Sequence, residues 1–161
     1  MNIATRRRGR AATFAMALLA AGLAIAVGSP TAAYASDNGD RSITTSCGSF
    51  QSPPTGTAHA KIRNCSITWK KNILDGTYRQ TVTFQLIDAL TDGYCAQSLV
   101  QAANASYQQV YASECNGVWT TKTANLSGHA DWIQVMVNYG TTTNTWRGIT
   151  QGYTFDAPGT F

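Results

Sequence analysis

From Thr57 onward, apolar residues recur at alternate positions, the period of a strand with one face on a core and the other in water. The clearest run is "TYRQTVTFQLI". Tyr78, Val82, Phe84 and Leu86 take one face there, and Arg79, Thr81, Thr83 and Gln85 take the other. "DWIQVMVNYG" repeats the pattern with Ile133, Val135, Val137 and Tyr139. "AHAKIRNCSITW" carries Ile62, Ile67 and Trp69, an interrupted alternation that predicts one kinked strand or two short ones. "YCAQSLVQAA", "SYQQVYASEC", "GVWTTKTANL" and "RGITQGYTF" supply further strands, although "NASYQQVYAS" also suits a short helix. Between these runs lie turn signals: Asp75-Gly76 and Asn116-Gly117 as hairpins, the "DALTDG" stretch, and the polar loop "TTTNTW". Seven or eight short strands at this spacing predict an all-β fold, a single antiparallel β-sandwich in preference to a barrel.

The first 35 residues follow a different logic. "MNIATRRRGR" is a positive stretch, "AATFAMALLAAGLAIAVG" an apolar one, and Ala33-Tyr34-Ala35 a small-x-small cleavage site. Together they predict a signal peptide over 1–35 and general secretion, with no retained membrane anchor. Residues 36–56, polar and rich in turn formers, predict a flexible N-terminal arm pinned at Cys47, and 57–161 the sandwich domain. Such an arm could also be donated as a strand to another protein's sheet.

Removing the leader changes the charge. Arg6, Arg7, Arg8 and Arg10 leave with it, and eight Lys/Arg then balance eight Asp/Glu. With no basic cluster beyond Lys70-Lys71, neither nucleic acid nor an acidic membrane is an expected partner. The remaining ~126 residues suffice for one core. Cys47, Cys65, Cys95 and Cys115 all lie in the exported part and predict two disulfides, paired in sequence order. Zinc is not expected, since the chain lacks a Cys-x-x-Cys pair and its two histidines stand apart.

Catalytic arrangements are sparse. Ser127, His129 and Asp131 alternate, but residues two apart on a strand lie about 7 Å from each other, too far for a relay. Glu114 is the single glutamate, and most aspartates adjoin turn signals. Asp88 and Asp92 in "LIDALTDGYCAQ" have no following glutamate to complete a calcium loop, so that stretch predicts a turn fastened by Cys95. The sequence thus points away from an enzyme, a cofactor or a metal site. Recognition is better supplied. Trp146 and Arg147 in a polar loop, and Trp69 with Lys70 and Lys71 ahead of the Asp75-Gly76 turn, are the expected partner contacts. Trp119 and Trp132 are expected inside the core.

Two resemblances extend this reading. Trp69 to Cys95 resembles the tendamistat-type α-amylase inhibitors, which share a Trp-led loop, an Asp-Gly turn, a "QTVT" strand (Gln80 to Thr83) and a "T-acid-G-x-C" return (Thr91 to Cys95). It implies inhibition of a secreted hydrolase, an α-amylase or a protease, although Trp69-Lys70-Lys71 replaces that family's Trp-Arg-Tyr. In overall style the chain is similar to adaptor subunits of the secreted antibacterial umbrella toxin particles. That likeness implies a small sandwich linking a toxin chain to lectin-like subunits. The expectation is a secreted, non-enzymatic protein-binding module, with hydrolase inhibition as the alternative and carbohydrate binding third.

Overall fold

The computed structural model describes residues 31–33, 39–103, 108–141 and 146–161. Its regular elements are all strands: β1 (Thr31–Ala33), β2 (Asp40–Ser52), β3 (Ala60–Asn72), β4 (Tyr78–Asp88), β5 (Cys95–Ala103), β6 (Gln108–Glu114), β7 (Thr120–Ser127), β8 (Trp132–Gly140) and β9 (Trp146–Asp156). They form two antiparallel sheets, ordered β1-β2-β3-β4-β7 and β6-β5-β8-β9. Apart from the three-residue β1, four strands face four, the sandwich that the alternation predicts. The core lies between them, with Ile62, Ile67, Val82, Phe84 and Leu86 from one sheet and Val100, Ile133, Val135 and Val137 from the other. β6 is a strand, not a helix, because pairing with β5 overrides the neutral propensity of its Ala and Gln.

β3 is one strand with a bulge. Its register against β4 shifts between Arg63 and Ser66, where Asn64 takes a positive φ of 52°. The extra residue changes parity, so Ile62 and Ile67, five apart, both face inward. The two disulfides pair as expected, Cys47–Cys65 across β2 and β3, and Cys95–Cys115 between the start of β5 and the residue that follows β6. They fit an oxidising compartment.

The structure corrects several expectations. Residues Asp40–Ser52 are a full strand in register with β3, where a flexible arm was expected. The apolar pattern there is thin, and backbone pairing plus the buried Phe50 and Cys47 hold the segment instead. Asn116-Gly117 does not make a hairpin but carries the chain from β6 in one sheet to β7 in the other. Gly117 has a φ of 64°, whereas Asn116 does not share the positive φ that a two-residue hairpin turn requires. The "DALTDG" stretch likewise crosses between sheets, from β4 to β5, with Asp92 Oδ1 accepting the Tyr94 N–H at 3.0 Å. Asp75-Gly76 does turn a hairpin, where Asp75 Oδ1 accepts the Thr77 N–H at 2.8 Å.

Candidate functional site

The bulge that corrects β3's parity also builds a surface. Arg63 and Asn64 point outward where the strand kinks, and both donate to Gln85 Oε1 on β4, at 2.8 and 3.2 Å. Held this way, the Arg63 guanidinium lies 4.0 Å from the centre of the Trp119 ring. Trp119 stands in the crossover before β7, beside the well-exposed Val118. Two clefts meet at Trp119, and both are also lined by Lys61.

The first, about 450 Å³, runs over Phe50, Ile62 and Tyr153 and is bounded by Lys61, Arg63 and Trp119. Phe50 and Tyr153 pack edge to face, with centroids 5.2 Å apart, and so join β2 to β9 across the sandwich margin. Both charged side chains in this cleft are cationic. The second, about 590 Å³, shares Lys61 and Trp119 and adds Asp88, Leu90, Tyr94 and Asn116. Asp88 is 7% exposed. Burial pushes its carboxyl above the ordinary value, the nearby Asp92 and Glu114 charges add to this, and the Leu90 N–H opposes it.

Polar groups around the second cleft are tightly tied. His59 Nδ1 meets Asp92 Oδ2 at 2.5 Å. Burial alone would raise the Asp92 carboxyl, but the Tyr94 N–H and His59 outweigh it and hold it below the ordinary value. Glu114 is also held low, first by the Thr120 hydroxyl, then by the Asn116 N–H and Lys122 against the cost of burial. These carboxylates fix crossover loops, and among the described residues no group of three His, Cys, Asp or Glu could hold a metal ion.

The partner contacts expected from sequence fare differently. Trp69 is 1% exposed in the core, its Nε1–H reaching Thr45 Oγ1 at 3.3 Å, so it is not a surface anchor. With Ile67 inward, the residue two along must face inward too. Lys70 is exposed and Lys71 half-buried, with the Lys71 ammonium 5.2 Å from the Tyr78 ring centre. Trp146 and Arg147 open β9, paired with Gly140 and Tyr139, while the loop at 142–145 lies outside the described residues. Trp119 and Trp132, expected inside, are both half-buried. His129 sits 3.6 Å from Asp131 in the open, and the Ser127 hydroxyl accepts a hydrogen bond from Gln108 instead of facing the imidazole.

Sequence reasoning therefore missed Lys61, Arg63 and Trp119. One signal was present: the odd spacing of Ile62 and Ile67 marks a bulge between them, where outward side chains are re-aimed. Compared with protein-family models, curated proteins and solved structures, the chain matches none of them.

Proposed function

We propose that this chain is a secreted, non-enzymatic protein-binding module that works as an adaptor in an extracellular assembly. Its contact surface is the cleft pair meeting at Lys61 and Trp119, with Arg63 stacked on that tryptophan in the first cleft. One observation carries the reading: an arginine stacked on a tryptophan at the rim of an aromatic-floored, cationic cleft. Trp, Tyr and Arg are the residues that most often dominate interface energetics. A stacked, hydrogen-bonded Arg63 gives up less freedom on binding than a free one. The favoured partner is another secreted protein presenting a carboxylate beside an apolar side chain, the first for Lys61 and Arg63, the second for Phe50 and Tyr153. The leader-like first 35 residues and the disulfides support secretion. Toxin or lectin-like subunits, as in umbrella-type particles, are the partner class proposed on resemblance of style.

Hydrolase inhibition through Trp69 to Lys71 has less support, since burial removes the tryptophan from that loop. The test is capture of partners from the producing culture's secreted fraction by wild-type and Trp119→Ala protein, followed by binding isotherms on the recovered partner. A loss of about 2 kcal/mol, roughly 30-fold in Kd, is expected for Trp119→Ala. Equal affinity of the two proteins would sink the assignment, and inhibition of an α-amylase or protease would favour the alternative.

A further inference from the structure

The two margins of the five-stranded sheet are not equivalent. At the end of β7 the margin is occupied: the Gln108 amide donates to the Ser127 carbonyl at 3.0 Å and accepts the Ser127 N–H at 2.9 Å, as a neighbouring strand would. At β2 the occupant is β1, which pairs antiparallel with Thr31 opposite Thr44, Ala32 opposite Ile43 and Ala33 opposite Ser42. The last of those three residues is the first of the Ala33-Tyr34-Ala35 cleavage signal. Cleavage after Ala35 would sever them from the rest of the chain.

We propose that the outer edge of β2 at Ser42–Thr44 is a strand-acceptor site, filled after leader removal by an extended segment of a partner protein. The inference rests on that removal and not on the Arg63–Trp119 cleft. Three observations bear on it. β2 keeps an unbroken register against β3 from Asp40 to Ser46, and its irregularities begin only between Ser46 and Gly48. The stretch from Ser42 to Ser46 contains no Pro or Lys, the residues that commonly blunt a sheet edge. The flanking Arg41 is directed away, donating to the Phe161 carbonyl at 3.1 Å.

An edge in this state offers unpaired N–H and C=O groups to an incoming strand. The segment already seated there is Thr-Ala-Ala and not a copy of β2. The partner sequence that fits is therefore uncharged, extended and made of small or β-branched residues, adding antiparallel. About six residues separate Thr44 from Gln51 at the cleft, so at ~3.3 Å each the two surfaces lie roughly 20 Å apart along β2. One module could then hold two partners.

The experiment uses the chain expressed in full and collected after secretion, with a peptide of residues 29–36 as probe and a scrambled peptide as control. At about 1 mM peptide, exchange of the amides within Ser42–Thr44 that face away from β3 should slow at least ~10-fold while that at Cys47–Ser52 stays unchanged. Trp119→Ala should leave this slowing intact, which separates it from failure of the cleft reading. No slowing, or equal slowing by the scrambled peptide, overturns the proposal. So does a secreted product that retains residues 31–33, or a peptide-free dimer whose β2 edge is already protected by a second copy.

Discussion

The His59 imidazole lies flat on the Tyr139 ring, with centroids 4.1 Å apart and planes 14° from parallel. His59 precedes β3 in one sheet and Tyr139 belongs to β8 in the other, so this stack, with Asp92 beside it, joins both layers through the crossover loop. Replacing His59 with Ala removes the stack and one partner of a half-buried carboxylate. We expect a loss of about 1–2 kcal/mol in urea unfolding. A loss under a few tenths would mean that the contact is incidental.

Acid should act on the surrounding carboxylates in opposite senses. Asp92 and Glu114 are held low in the fold, so their stabilising contribution is present above the ordinary carboxylate values and is lost as pH falls through the lowered ones. Asp88 is raised, so the fold binds its proton more tightly than the unfolded chain does, and stability drops as pH rises through that window. Asp88→Asn keeps an oxygen for the Leu90 N–H and should raise Tm at neutral pH, with the gain vanishing below pH 3.8. A Tm increase independent of pH would contradict the assignment.

The two tryptophans should separate cleanly. Trp69→Ala opens a void in the core and should cost about 3–5 kcal/mol, much of a small domain's stability. Trp119→Ala removes a half-buried ring with its cation–π pair and should cost about 1–2 kcal/mol. Thermal melts of both variants decide this, and equal losses would refute the different burial of the two rings.

The disulfides close loops of 18 and 20 residues in sequence separation. Removing either, as Cys47→Ala/Cys65→Ala or Cys95→Ala/Cys115→Ala, should cost about 3 kcal/mol. Non-reducing peptide mapping should recover the same two pairs, and any crossed pair would contradict the topology.

Gln108→Leu deletes the side-chain amide that engages the Ser127 backbone. About 1–2 kcal/mol should be lost, with faster amide exchange confined to the end of β7. Unchanged exchange at Ser127 would show that water replaces the amide at no cost.

Strand type and inner face were legible wherever alternation was strict, as at Val82, Phe84 and Leu86 or at Ile133, Val135 and Val137. Disulfide pairing was legible from order and spacing. Connectivity was less so: Gly93 and Gly117 announce a change of chain direction, but a local φ does not say whether the next strand pairs beside the last or crosses to the other sheet. β2 was hidden because backbone hydrogen bonds, which leave no side-chain pattern, do most of its holding. The cleft escaped notice because Arg63 and Trp119 lie 56 positions apart and meet only through the bulge and the β6–β7 crossover.

Gln108 also bears on how large any assembly could become. A sandwich open at both lateral margins can pass strands from copy to copy without end and grow as a fibre. Among the described residues, the end of one margin of the five-stranded sheet is closed at Ser127 by an amide that belongs to the chain itself. A strand arriving at the β2 margin of this sheet would meet a far margin already engaged at the end of β7, which disfavours passing strands from copy to copy through the five-stranded sheet.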